Sequence, residues 1–127
     1  MIVTVDGLAI VQLFPGAAVE AFDDEYLKEV TETFGHRRDY LYNELKNLVA
    51  VDAKPDGAFY IWADISRYSN DAMKFCEKLL DDKAVAITPG IDFGKNNTEH
   101  YVRFAYTQDV AKLKIGVKRI KEFSKDL

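Results

Sequence analysis

The feature that most constrains this chain is a change of period at Leu48. Before it, Leu27, Val30, Phe34, Leu41, Leu45 and Leu48 recur at spacings of three, four or seven, which is one face of a helix. The spacing therefore predicts a helix over Ala21 to Leu48. Asp23 and Asp24 stand at its expected start, where carboxylates meet free N–H groups and the positive end of the helix dipole. After Leu48 the period falls to two. Val49 to Ala53 reads as a short strand and Ala58 to Asp64 as a second, dense in aromatic and β-branched residues. Between them, Lys54-Pro55-Asp56-Gly57 reads as a tight turn, with Pro fixing φ and Gly accepting a positive φ. Two strands joined so closely are expected to pair antiparallel.

The rest of the chain repeats this alternation. Ser69 or Asn70 is expected to cap a second helix whose apolar set is Met73, Cys76, Leu79 and Leu80. Ala84 to Ile87 reads as a strand stopped by Thr88-Pro89-Gly90, and Ile91 to Glu99 as a loop favoured by Gly94, Asn96 and Asn97. His100 to Tyr106 reads as the fourth strand. Thr107 is expected to cap a last helix striped by Val110, Leu113, Val117, Ile120 and Phe123. The order helix, two strands, helix, two strands, helix predicts an α+β fold of two layers, a mostly antiparallel sheet with helices packed on one face. Residues 1–20 fit this order least: Met1 to Val5 suits a strand and Leu8 to Phe14 a helical turn, with Pro15-Gly16 interrupting.

Several function classes are disfavoured at once. A net charge of −4 argues against a binder of the nucleic-acid backbone. An aromatic strand after Gly57 resembles an RNA-stacking strand, but Asp56 stands where a basic residue is expected. Apolar runs such as Leu8 to Val11 are far too short to span a membrane. Asp6 and the lack of a basic head argue against a signal peptide, and the lone Cys76 fits a reducing cytoplasm. His36, His100 and Cys76 have no metal-ligand spacing, so no metal ligand is assigned. Cys76 lies on a helix stripe and reads as core. Arg37 and Arg38 lie off the stripe of the long helix and read as a solvated or ion-paired face. Arg103, inside the apolar strand Tyr101-Val102-Arg103-Phe104-Ala105-Tyr106, has two readings. It is either an exposed residue of a half-solvated sheet or a planar fork held on a rigid strand to grip a carboxylate.

Three segments follow Arg37-Arg38-Asp39 in order: Gly57-Ala58-Phe59-Tyr60-Ile61-Trp62, Val85-Ala86-Ile87-Thr88-Pro89-Gly90-Ile91-Asp92-Phe93-Gly94, and Tyr101-Val102-Arg103-Phe104-Ala105. With them the chain resembles, over residues 17 to 125, the C-terminal small domain of a class I/II aminotransferase. These are pyridoxal-phosphate enzymes of fold type I, in the branch that includes aspartate aminotransferases. The resemblance implies that residues 17–127 form the small domain, and that residues 1–16 match the family poorly. It implies that Arg103 binds the substrate α-carboxylate, that Phe59 and Tyr60 border the substrate pocket, and that Thr88-Pro89-Gly90 turns near the cleft. In the whole enzyme an amino group would pass between an amino acid and a 2-oxo acid.

The family's Schiff-base lysine and its other cofactor ligands belong to a preceding large domain. None of the twelve lysines here stands in the family's Ser-rich, Gly-following lysine context. No catalytic and no cofactor-binding residue is therefore assigned, and the chain alone is expected to be inactive and to bind no pyridoxal phosphate. Its expected partners are the missing large domain and a second copy of itself, through apolar surface near Ala21 and Met1 to Phe14. Neither nucleic acid nor membrane is expected. The alternative is a non-catalytic amino-acid-binding or protein-interaction module that keeps the fold.

Overall fold

The computed structural model describes residues 24–127. In chain order these form α1 (Asp24–Leu45), β1 (Tyr60–Asp64), α2 (Ala72–Lys83), β2 (Thr88–Pro89), a 3₁₀ turn (Gly90–Phe93), β3 (Tyr101–Ala105) and α3 (Val110–Lys125). The strands make an antiparallel sheet in the order β1-β3-β2, so β3 is the middle strand. The α+β class is as expected, with helix, strand, helix, two strands, helix as the observed order. The expectations for Met1 to Val5, Leu8 to Phe14 and the helix start at Ala21 lie outside the described residues. The chain divides into two compact units, residues 1–35 and 36–127. The described part of the first is the beginning of α1, where Tyr26 and Leu27 are exposed and Lys28 meets Glu32 at 4.0 Å.

The core of the second unit follows from alternation on the strands and from stripes on the helices. Ile61 and Ala63 of β1 and Val102 and Phe104 of β3 are buried, as are Leu79 of α2 and Leu113, Val117, Ile120 and Phe123 of α3. Phe75 and Phe123 meet edge to face at 5.3 Å, joining α2 to α3. Each large apolar side chain so buried contributes about 1.5–3 kcal/mol.

The structure corrects six local expectations. Val49 to Ala53 is not a strand. Leu48 and Val49 donate their N–H groups back to Leu45 to end α1, and only Ala50 bridges Asp64, through bonds of 3.2 and 2.9 Å. Beyond Ala50 the chain is drawn to α1 instead. Lys54 pairs with Asp39 at 2.8 Å, and Arg38 Nη1 donates to the Pro55 carbonyl at 3.4 Å. The positive φ in this segment sits at Ala58 (57°) rather than Gly57, and the Tyr106 hydroxyl donates to the Ala58 carbonyl at 3.0 Å.

The second helix is capped by Asp71, whose carboxylate accepts from Lys74 N, rather than by Ser69 or Asn70. Ser69 acts one step earlier, accepting from Asp71 N. The buried set is Ala72, Phe75, Cys76 and Leu79, while Met73 and Leu80 point to solvent. Ala84 to Ile87 is not a strand, because Ala84 takes the left-handed conformation (φ 51°, ψ 45°) that closes α2. Pairing begins only at Thr88. Pro89, which has no N–H to donate, is accommodated on the edge strand β2. Finally, α3 is capped by Asp109 through Lys112 N at 2.8 Å, and the Thr107 carbonyl accepts from Arg37 Nη1 at 2.8 Å.

Candidate functional site

Because side chains alternate along a strand, β1 and β3 place a second set on the face away from the core. These are Tyr60, Trp62 and Asp64 from β1, and Tyr101, Arg103 and Ala105 from β3. Arg103 is the centre of this set. Trp62 lies opposite it on one side and Thr88 on the other. Its guanidinium carbon lies 4.0 Å from the centre of the Tyr60 ring and 4.3 Å from that of Phe93. Tyr60 reaches it from β1, while Phe93 comes from the 3₁₀ turn that follows β2. Trp62 stacks on Tyr101 at 5.5 Å and meets Phe93 edge on at 5.9 Å.

Gly90 brings the turn this close to the sheet. A Cβ there would lie 2.6 Å from the Thr98 carbonyl oxygen, 2.8 Å from that of Tyr101 and 3.0 Å from Trp62 Cη2. This is the physical content of the Thr-Pro-Gly sequence.

The electrostatics leave Arg103 uncommitted. Its Nε is buried without a hydrogen-bond partner, and it makes no ion pair among the described residues. Buried donors are nearly always satisfied, so an orphaned one needs an explanation. Asp64 shares the face but is used elsewhere. It accepts from Ser66 N at 2.7 Å and lies 3.6 Å from His100 Nε2. Burial pushes the Asp64 carboxyl up, but the bonds from Ser66 and the charge of His100 outweigh this and hold it below the usual range. A guanidinium with rings against it and N–H groups unspent is suited to receive a planar carboxylate through two parallel bonds.

Of the three residues singled out from the sequence, Arg103 and Tyr60 are thus brought together. Phe59 stands beside Tyr60, with ring centres 4.5 Å apart, and its carbonyl accepts from Tyr106 N at 2.9 Å. Thr88 and Pro89 pair with Arg103 and Val102. Arg38 keeps its ion-paired reading, in a cluster with Asp39 and Lys54. The bonds from Lys54 and Arg38 hold the Asp39 carboxyl below its usual range. Two site residues were not singled out. Trp62 is legible in hindsight, since it alternates with Tyr60. Phe93 comes from a turn with no period to reveal it.

Other chemistry finds less support. Burial above all, with the charges of Asp92 and Glu77, pushes the Cys76 thiol up to about 12, which leaves it unreactive. Among the described residues no three His, Cys, Asp or Glu side chains are grouped to hold a metal ion. No described helix is long and apolar enough to cross a membrane. A cleft of about 270 Å³ lies between the end of α1 and the loop after β1, lined among others by Lys46, Val49, Asp64 and Arg67. Arg103, Tyr60 and Phe93 are not part of it.

Comparison with known proteins gives a consistent result. The family model described as aminotransferase class I and II matches residues 7–120. A probable aspartate aminotransferase of Methanocaldococcus jannaschii is 38% identical over 96 residues, covering 76% of this chain and 24% of that protein. A valine–pyruvate aminotransferase of Mycobacterium tuberculosis is 36% identical over 109 residues, covering 82% of this chain and 28% of that protein. Among solved structures, an aminotransferase from Mycobacterium tuberculosis superposes with a TM-score of 0.76 at 34% identity, over 87% of this chain and 30% of that one. The chain therefore spans about a quarter of the length of the curated relatives it matches.

Proposed function

Because this chain belongs to the class I and II aminotransferase family, we propose that it is the C-terminal small domain of an enzyme moving an amino group between an amino acid and a 2-oxo acid. In this reading residues 17–127 form that domain. Arg103 grips the substrate α-carboxylate, and Tyr60 and Phe59 wall that side of the pocket. The observation that carries it is the buried, unpartnered Nε of Arg103 on an open aromatic face. A structural arginine at such a place would spend its Nε–H on a fixed acceptor, because a buried donor left unsatisfied is costly. An arginine kept for a ligand has its partner arrive from outside.

Enzymes of this family use pyridoxal phosphate, which supplies the electron sink for the reacting carbon when bound. The described residues do not fit an anchor for it. A Schiff-base lysine is desolvated, yet no charged side chain is buried among the described residues. Lys54, Lys74, Lys83 and Lys121 are committed to Asp39, Asp71, Asp126 and Glu44. We therefore assign the cofactor to the large domain of such an enzyme, which is the partner this reading implies. The single, buried Cys76 supports a cytoplasmic setting.

The test is a titration of this chain with pyruvate, followed at the Arg103 side-chain N–H signals. A saturable shift is expected there and at the indole of Trp62, which stands opposite Arg103; Arg103→Leu should abolish the Trp62 response while changing unfolding free energy by no more than about 1 kcal/mol. Arg103→Leu costing roughly 3–5 kcal/mol, with no response of the natural chain to pyruvate, would make Arg103 a scaffold residue. Mixing with pyridoxal phosphate and then desalting should leave no visible absorption band.

A further inference from the structure

We propose that Phe93 is a positioning residue for Arg103: let down onto the sheet by Gly90, it closes with Tyr60 on the guanidinium and fixes the plane in which the N–H groups are offered. This deepens the carboxylate reading of Arg103 and rests on it for its purpose, though not for its geometry. An arginine side chain is long, and the freedom it loses on binding weakens affinity unless it is held beforehand. Arg103 has no hydrogen bond or ion pair among the described residues to hold it. Its close neighbours are two rings, at 4.0 and 4.3 Å, well inside the range of a cation–π contact.

The two rings come from independent elements. Tyr60 is fixed by β1, whereas Phe93 depends on the course of the 3₁₀ turn. Phe93 is 49% exposed, so burial of its own surface does not explain its place. Its contacts do: the guanidinium beneath it and the edge of Trp62, which is itself stacked on Tyr101. Gly90 sets the height of the whole device. Any side chain there would press on two backbone carbonyls that have little room to yield. The line of dependence runs from Gly90 through Phe93 to the guanidinium, and only then to a ligand.

The experiment compares the full chain with Phe93→Leu and Phe93→Tyr, first without ligand and then in a titration with acetate. In the ligand-free chain the Arg103 Nε–H should be shifted by the rings and slow to exchange with water. Phe93→Leu should move that signal and speed its exchange, and Phe93→Tyr should restore both. Phe93→Leu should weaken acetate binding about two- to fivefold, the strength of a partly exposed cation–π contact, with Phe93→Tyr like the natural chain. Because Phe93 is half-exposed but meets Arg103 and Trp62, Phe93→Leu should lower the unfolding midpoint only slightly and Phe93→Tyr should leave it unchanged. An Nε–H unmoved by Phe93→Leu would overturn the proposal, as would a Phe93→Tyr that behaves like Phe93→Leu. Equal acetate affinity in the natural chain and Phe93→Leu would overturn it too. If acetate fails to bind at all while Phe93→Leu still moves the Nε–H, the carboxylate reading falls and the clamp stands.

Discussion

The two faces of the sheet are drawn from the same strands and differ by one step along the chain. On the closed face Ile61, Ala63, Val102 and Phe104 are at most 4% exposed. On the open face Tyr60, Trp62, Tyr101 and Arg103 stay partly accessible and touch one another through rings and a cation. The closed face asks for apolar residues of suitable volume, a demand many side chains meet. The open face asks for particular groups at particular positions, since a planar cation and the rings beside it have few substitutes. Pattern thus governs one face and identity the other. A sequence reading based on periodicity sees the first far better than the second.

Shortening neighbouring residues on opposite faces should separate the two most strongly. Ile61→Ala should cost about 2–5 kcal/mol, the range for a fully buried large-to-small change. Trp62→Ala, one residue along and 37% exposed, should cost about 1–1.5 kcal/mol, the scale of its aromatic pairs. Denaturant melts would measure both, and equal losses would show that the open face is core as well.

A smaller effect tests how the turn is seated. Gly90→Ala should cost about 1–3 kcal/mol because its Cβ meets backbone rather than a yielding side chain. Gly57, with nothing within 4 Å of its would-be Cβ, is the control. Gly57→Ala should stay within about 0.5 kcal/mol in the same melts.

The smallest effect concerns the Arg38–Asp39–Lys54 cluster, which joins α1 to the segment before β1. Lys54 and Arg38 depress the Asp39 carboxyl, so its contribution is present above the ordinary 3.8 and is lost as pH falls through the lower folded value. Asp39→Asn should cost about 0.2–1 kcal/mol near neutrality, as for exposed pairs. The difference from the natural chain should fade below pH 3.8. A difference that persisted in strong acid would mean that Asp39 acts through packing rather than charge.

Much of the fold was legible in the sequence, and the misses have physical causes. The stripes of α1 and α3 are long enough for their period to be unmistakable; Leu41, Leu45, Leu113 and Val117 are buried as expected, whereas Leu27, at the start of the expected α1 stripe, is exposed. The caps lie one or two residues beyond their expected positions because Ser69, Asn70 and Asp71, or Thr107 and Asp109, are all capable of the role. Only the local turn decides among them. Val49 to Ala53 has the composition of a strand, but the Lys54–Asp39 ion pair and the bond from Arg38 to the Pro55 carbonyl hold the following chain to α1. With two residues, β2 is too short to have a period. Within the site, Arg103 was visible as a charge in an apolar strand, and Tyr60 through the motif around it. Phe93 is legible only as part of the family segment Val85 to Gly94 and not as a site residue, since it lies in a turn with no period, seated close to the sheet because Gly90 carries no Cβ.

The place of Arg103 in the middle strand has one more consequence. β3 is held in register on both sides, with Trp62 and Thr88 as the partners of Arg103. A slip of a single residue would turn Arg103 inward and push Val102 and Phe104 out. There is accordingly no well-folded form in which the arginine faces the wrong way. Mis-aiming and unfolding are one event, and any process that removes proteins with exposed apolar surface would also remove copies whose guanidinium is misdirected.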